Sequence, residues 1–418
     1  MNATHSDVLI LGGGVIGLSC ALYLARAGVG VRVIERGKVG AGASHGNCGT
    51  LTPSHAEPLC APGTVGKALH GMLKKDAPLY VSPRLNVRRL RWLAGFAQHC
   101  NHRDFNHAAH ARAAILLRSR ALTEELVVGE NLDCEFAAEG CLSVYRDAAQ
   151  LEADQAHVET LGRLDVPAEM KTAAEVLAME PALRENIAGG IYHAGDARLR
   201  PDRYVAELAR RVRELGGVIE EDTRAERFAT AHHAIRAVRT SRGQFSADRI
   251  VLALGAWSPH LGARLGVHLP MQPGKGYSIT YAPTDACPRL PLSLHEVSVC
   301  VTRWGSGCRL GSTMEFSGYD QRLNPTRLAA LERGAALYLR EPIASPVQEK
   351  WWGWRPMSVD ELPIIGPSAR WSNLMLATGH GMMGMSMSAA TGELVAGLCA
   401  GPAPVLDPSP YAPSRFGL

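Results

Sequence analysis

Asp7-Val-Leu-Ile-Leu-Gly-Gly-Gly-Val-Ile-Gly-Leu-Ser-Cys-Ala-Leu-Tyr-Leu-Ala25, followed by Val31-Arg-Val-Ile-Glu35, is the stretch whose reading decides the fold. An apolar run, Val8 to Leu11, enters Gly12-x-Gly14-x-x-Gly17 and passes through Val15 and Ile16 into an unbroken helical pattern. Strand, tight turn and helix in that order present N–H donors and a positive dipole end to a pyrophosphate. Gly12 permits the turn, Gly14 lets the backbone approach the phosphates, and Gly17 lets helix and strand pack closely. Glu35 stands eighteen residues after Gly17, where a carboxylate can accept hydrogen bonds from a ribose hydroxyl. A terminal Glu in place of a basic cluster argues against a 2′-phosphate and leaves NAD or FAD.

Outward from this motif, 418 residues exceed one ordinary core, so two woven or successive domains are expected. With 46% hydrophobic and 20% charged residues the chain reads as soluble and globular, and a net charge of +4 is too small to imply nucleic acid. Val8 to Ala25 is uncharged, but its glycines divide it into strand and helix and Asp7 precedes it, so it reads as neither membrane span nor signal core. The ten cysteines lack metal-site spacing, which predicts no metal and buried thiols in a reducing cytoplasm.

Directly after Glu35 runs Arg36-Gly-Lys-Val-Gly-Ala-Gly-Ala-Ser-His-Gly-Asn-Cys-Gly49, whose small residues admit a flat ring or another backbone. It predicts a cofactor loop with contacts at Arg36, Ser44, Asn47 and Gly49. Residues 67–103 set Lys67, Lys74, Lys75, Arg84, Arg88, Arg89, Arg91 and Arg103 against Asp76, interleaved with Trp92 and Phe96. The segment reads as a solvated face or as paired arginines, with docking to an acidic partner or a membrane surface as the sharper alternative.

Further along, helices are expected at 107–129 and 201–215, and two polar helices at 148–179 with a turn near Pro167. Strands are expected at Cys141–Tyr145 and after Gly189. Arg249 to Leu254 reads as a buried parallel strand ending in Gly255 and Trp257, and 269–318 as antiparallel strands with glycine turns. Leu374 to Thr378 and a helix from Met382 return to strand-turn-helix, and the five prolines of 401–418 predict an irregular, poorly ordered tail.

Five stretches in this order resemble the FAD-dependent D-amino-acid oxidase superfamily: the N-terminal fingerprint, Gly274-Lys-Gly-Tyr-Ser-Ile-Thr280, Gly353-Trp-Arg-Pro-Met-Ser-Val-Asp360, Leu362-Pro-Ile-Ile-Gly366 and Ala377-Thr-Gly-His-Gly-Met-Met-Gly384. Thr52-Pro-Ser-His-Ala-Glu-Pro-Leu-Cys-Ala-Pro-Gly63 is most similar to the bacterial D-amino-acid dehydrogenases, and Thr52 to His55 to a branch acting on D-proline or cis-4-hydroxy-D-proline. The resemblance implies an α/β fold: a Rossmann-like FAD-binding domain (about 1–60, 180–265 and 350–400) interwoven with an α+β substrate domain on an antiparallel sheet (about 61–179 and 266–349). It implies hydride transfer from a carbon bearing an amine to flavin N5, followed by imine hydrolysis, or a cyclic imine from a secondary amine. The implied partners are a small amino acid and a quinone or respiratory-chain acceptor. The implied location is the cytoplasm or the periphery of the inner membrane, with 67–103 as the contact.

On that resemblance Arg355 holds the substrate carboxylate, and a planar guanidinium suits that task because it can bond both oxygens. Gly353, Gly379, Gly381, Met382, Met383 and Gly384 are flavin contacts, with the following helix pointing its positive end at the N1/C2 carbonyl. The methionines also read as gap-filling core. Family oxidases often carry a tyrosine on the antiparallel sheet, and Val297 to Arg303 has none. Tyr277, His55, His295 and His380 are the substitutes, Tyr277 and His380 also as catalytic groups, while each histidine has an ordinary structural reading. His45 raises flavin attachment as in sarcosine-type dehydrogenases, but lacks a visible activating group, so the FAD is expected to be non-covalent. An oxygen-using oxidase and an electron-relay flavin subunit are the alternative functions.

Overall fold

The computed structural model describes residues 4–66, 79–82, 86–341, 343 and 346–418. Lys67, Lys74, Lys75, Asp76 and Arg84 lie outside the described residues.

The first sheet has a parallel core in the order Leu374–Thr378, Gly243–Leu252, Thr4–Leu11, Val31–Ile34, Val218–Glu220. Buried on both faces, Thr4–Leu11 ends in four consecutive buried apolar residues, as a central parallel strand must. The chain leaves this strand to one side for Val31–Ile34 and returns to its other side for Gly243–Leu252. The direction of winding therefore reverses at Thr4–Leu11, and such a reversal opens a crevice beyond the carboxyl ends of the strands.

Helices cover that sheet. Val15–Arg26 is apolar almost all round and lies between the sheet and helix Gly384–Cys399, which in turn packs on His102–Gly129. Helix contact is close: a Cβ on Gly392 would stand 2.7 Å from the Ser19 carbonyl oxygen. Pro201–Glu214 starts on a proline and buries one stripe, Tyr204, Val205, Leu208, Ala209 and Val212.

The second sheet runs Val347–Ser358, Met271–Tyr281, Gly307–Phe316, Val299–Trp304, Leu292–Leu294, Cys141–Tyr145, Gly189–His193, Glu169–Thr172, with Leu79–Val81 added beside Gly307–Phe316. It is mainly antiparallel. Gly189–His193 and Val347–Ser358 belong to it, although the sequence reading grouped Gly189–His193 and residues 350–358 with the nucleotide-binding part, because their partners are Cys141–Tyr145 and Met271–Tyr281. The sheets meet where Val347–Ser358 ends: Met357 bridges His380, and the Gly381 amide donates to the Pro356 carbonyl at 3.0 Å.

Several expectations need correction. Helix His102–Gly129 starts one turn earlier than expected, capped by the Asn101 side chain. Residues 148–179 hold three short helices and strand Glu169–Thr172, the last helix started by a Thr172/Glu175 capping box. A hairpin, Ala225–Ala231 with Ala234–Thr240, precedes Gly243–Leu252. The tail is docked: buried Tyr411 donates to the Ala111 carbonyl at 2.7 Å, and Arg415 pairs with Asp360 at 2.7 Å. Its prolines forbid regular structure but leave side chains to anchor it.

Of the basic segment, Arg89 is buried and donates to the carbonyls of Ser82 and Phe316, and Trp92 is buried and donates to that of Met357. Arg88, Arg91 and Arg103 are exposed. No helix among the described residues is long and apolar enough to cross a membrane.

Candidate active site

A cavity of about 1660 Å³ runs from the Gly12 turn to Arg355, bounded by both sheets. At its first end the fingerprint glycines are required by contact. A Cβ on Gly12 (φ +112°) would stand 2.4 Å from the Ala253 carbonyl oxygen of the neighbouring strand, and one on Gly17 would stand 1.9 Å from that of Gly12. The turn therefore sits at the crevice between Thr4–Leu11 and Gly243–Leu252. Glu35 accepts from the Gly13 amide at 2.8 Å and the Gly37 amide at 3.0 Å, which fixes its carboxylate at the cavity edge. Ser44 accepts from the Val15 amide at 3.1 Å, so the small-residue loop reaches the helix N terminus. Arg36 stacks on Trp257 at 3.9 Å, and Gly14, Ile16 and Gly255 line the same end.

The loop then crosses to the second sheet. Asn47 closes a turn by accepting from the Gly49 amide at 2.7 Å. Buried Arg309 donates to the carbonyls of His45 (3.1 Å) and Asn47 (2.7 Å), pinning the loop to strand Gly307–Phe316. His45 meets Glu349 at 2.8 Å, and this hydrogen bond raises its pKa. Its Nε2 is thus engaged by a carboxylate.

At the far end Gly379 (φ +79°) and Gly381 (φ +55°) adopt left-handed conformations that suit glycine. They aim the N terminus of Gly384–Cys399 into the cavity, two residues later than the expected start at Met382. The first-turn amides of that helix have no intrahelical acceptor. Met382 is half-buried on the wall, whereas Met383, Met385 and Met387 are buried core.

Arg355 lies on the second sheet's cavity face. Its strand pairs with Met271–Tyr281 so that Arg355 opposes Gly274, Gly353 opposes Gly276, and Trp351 opposes Ser278. Side chains alternate, so Arg355, Gly353 and Trp351 share one face and Trp352 and Trp354 the other. Arg355 Nη1 donates to the Thr313 carbonyl at 2.6 Å and touches Met314 Sδ at 3.8 Å. Among the described residues no carboxylate pairs with it. Burial lowers its pKa, opposed by the thiols of Cys48 and Cys300. The Thr313 carbonyl is presented by a bulge in which Ser312 (φ +117°) and Thr313 (φ +62°) both leave the usual backbone regions. A β-branched residue held there costs on the order of 1–3 kcal/mol, a strain that clusters at functional sites.

Three suggested substitutes for the missing tyrosine line the same cavity, but their polar groups are engaged by other side chains. Tyr277 opposes Trp352, on the face away from Arg355, and donates its hydroxyl to buried Glu315 at 3.0 Å. The neighbour-by-one position in the strand reverses its side. His380 is buried, its Nε2 3.0 Å from Thr391 Oγ1, and burial lowers its pKa to about 3. His295 stacks on Tyr145 at 4.3 Å, with Nδ1 3.7 Å from Asp154. Only His55 turns its ring into the cavity without a side-chain partner among those described. The residue is solvent-exposed on the cavity wall; desolvation by the surrounding protein, and then Arg112, lower its pKa to about 4, which keeps the imidazole neutral.

Sequence reading missed the residues that hold this arrangement. Arg112, buried on the long helix, donates to the carbonyls of His55 (2.8 Å), Ala56 (3.1 Å) and Glu361 (2.9 Å). Arg309, Thr313, Cys48 and Cys300 were likewise overlooked. Their significance comes from strands far apart in sequence.

Comparison with known proteins gives the family and the fold. The family described as "FAD dependent oxidoreductase" (DAO) matches residues 7–398. The chain is similar to the D-amino acid dehydrogenases of Bradyrhizobium diazoefficiens (34% identity, 98% of each chain) and Agrobacterium fabrum (35%, 98% of this chain and 99% of that one). Its fold is similar to the crystal structure of glycine oxidase from Geobacillus kaustophilus (TM-score 0.79, 24% identity, 99% of each chain).

Proposed function

The chain belongs to the DAO family of FAD-dependent oxidoreductases, an FAD-dependent amino-acid dehydrogenase, and on that premise we propose that its substrates are D-amino acids bound through the carboxylate by Arg355. The single observation that carries the substrate assignment is this guanidinium, half-buried on the cavity wall with one carbonyl acceptor and no carboxylate partner among the described residues. A buried cation in that condition is stabilised by an incoming carboxylate, which can use its remaining N–H groups.

FAD, when bound, supplies the two-electron acceptor for the hydride of the substrate's α carbon. The residues present fit it: the Gly12-Gly14-Gly17 turn and Val15 for the pyrophosphate, Glu35 for the ribose, and Arg36, Ser44, Asn47, Gly49, Gly255 and Trp257 along the loop side. Gly353, Gly381, Met382, Met383 and Gly384 line the other end, where Gly379 shapes the turn behind them. The Gly384–Cys399 N terminus places a positive potential in the cavity, where it can stabilise developing negative charge.

Arg355 orients the substrate and neutralises its carboxylate. Neutral His55 adds no positive charge to repel the substrate amine. The imine product is hydrolysed by water, or retained as a cyclic imine if the amine is secondary. A quinone or respiratory acceptor, reached from the cytoplasmic side or the inner-membrane periphery, completes turnover in this reading.

Anaerobic mixing of the holoprotein with D- and L-amino acids, D-proline and cis-4-hydroxy-D-proline included, tests it through bleaching of the visible flavin band. Bleaching by D-enantiomers alone supports the proposal. Bleaching by L-enantiomers alone, or by no amino acid, refutes it. Peroxide release under air in step with turnover would replace the dehydrogenase by an oxidase.

A further inference from the structure

We propose that Cys48 and Cys300 form a reversible thiol–disulfide site on the cavity wall, with a peroxide as its oxidant. The two thiols come from distant segments and meet on the Arg355 face of the second sheet. Cys300 is the cross-strand partner of Gly311, and a Cβ on Gly311 would stand 2.4 Å from Cys48 Sγ. Paired residues of an antiparallel sheet project to the same side. Cys48 Sγ therefore occupies the space that glycine leaves vacant directly beside the Cys300 side chain.

Access and preorganisation distinguish this pair from the chain's other thiols. Both residues are half-buried and line the cavity wall. Arg309 anchors the residue before Cys48, and the Gly49 carbonyl accepts from the Leu199 amide, so the loop is already held against the sheet. A second pair, Cys287 and Cys308, is buried in the sheet's other core and lines no part of the cavity. It serves as an internal comparison.

The electrostatics divide the roles. The hydrogen bond from Cys300 lowers the Cys48 pKa against the effect of burial, aided by Arg309 and Arg355, whereas the same bond and burial raise that of Cys300. Cys48 is thus the nucleophile. Its thiolate attacks one peroxide oxygen; the O–O bond breaks, and the departing hydroxide leaves as water after taking a proton. This gives sulfenic acid at Cys48. The Cys300 sulfur, losing its proton to the leaving oxygen, then attacks Cys48 Sγ. The S–S bond forms, the S–O bond breaks, and a second water departs. Two thiols are oxidised by two electrons and one peroxide becomes two waters. An external dithiol restores both thiols by exchange.

The site does not depend on which amine the enzyme oxidises. The test is to expose the holoenzyme to hydrogen peroxide, block remaining thiols under denaturing conditions, and map the peptides by mass. The expected result is a cross-linked Cys48–Cys300 peptide pair lighter by two hydrogens, lost on treatment with dithiothreitol, with Cys287 and Cys308 still alkylated. In Cys300→Ser, Cys48 should stop at a sulfenic acid trapped by dimedone. The proposal is overturned if Cys48 and Cys300 remain alkylated while exposed methionines oxidise, if Cys48 passes to sulfinic acid without bridging, or if Cys287 and Cys308 bridge instead. Should the variant fail to fold, the map of the unaltered protein still decides.

Discussion

The guanidinium of Arg355 lies directly over the backbone of Gly276: a Cβ placed on that glycine would stand 2.6 Å from Cζ and both terminal nitrogens. The strand there is extended, so the glycine is demanded by the neighbouring side chain and not by its own backbone. Gly276→Ala must displace Arg355. The expected outcome is a raised substrate KM of about tenfold or more with unchanged flavin content, because an oriented charge-assisted contact of roughly 1.5–3 kcal/mol is disturbed. Steady-state kinetics beside the flavin-to-protein absorbance ratio check it.

Removing the guanidinium asks a different question. Arg355→Ala should lower kcat/KM on the order of 100-fold or more while the flavin still binds, and Arg355→Lys should recover only part, since an ammonium cannot bond both carboxylate oxygens. Rapid-reaction measurement of flavin reduction separates binding from the chemical step. Normal kinetics in the alanine variant would remove Arg355 from the substrate site.

Acid sensitivity follows from two buried histidines held neutral. Burial lowers His380 and His193 to about 3. In the unfolded chain each takes up a proton near its ordinary pKa of about 6.5. Between those values the unfolded state binds more protons, so stability is full above about 6.5 and is lost as pH falls toward the folded values. The thermal midpoint should decline below pH 6.5, partly offset by buried Asp196, which burial raises to about 7 and which takes up its proton in the folded state over the same range, and His380→Asn should flatten that decline. A midpoint constant from pH 7 to pH 5 would contradict the account.

The docked tail is expected to contribute to stability. Tyr411→Phe removes one hydrogen bond to the Ala111 carbonyl, which keeps its donor within the helix, at a cost of about 0.5–1.5 kcal/mol. Deleting 409–418 also exposes Asp360 and the apolar surface beneath, and should lower the thermal midpoint further. Denaturant unfolding of the two proteins measures both effects.

How much of this could be read in advance differs by region. The Gly12-Gly14-Gly17 turn and Glu35 were legible because one local segment supplies strand, turn and helix. Arg355 was legible only through its motif. Tyr277 was misjudged because its place depends on which sheet face it occupies, and a one-residue step decides that. The bulge at Ser312 and Thr313 leaves no local signature, since neither residue type suits a positive φ. Cys48 and Cys300 stand 252 positions apart and meet only because Gly311 lies between their segments. The tail was misjudged because prolines report on regularity, whereas docking is decided by Tyr411 and Arg415.

The junction at Met357 and His380 has one further consequence. Arg355 sits one residue before Pro356, whose carbonyl holds the Gly381 amide, and Gly381 in turn fixes the start of the Gly384–Cys399 helix. Arg355 and the helix end are therefore joined through one residue and one backbone hydrogen bond, a short strut between the two sheets. Such a strut behaves as a ruler. With Arg355 in its proposed role, β-amino acids, whose carboxylate stands one methylene further from the oxidised centre than in α-amino acids, should be turned over far more slowly even when they bind; equal turnover would contradict that role.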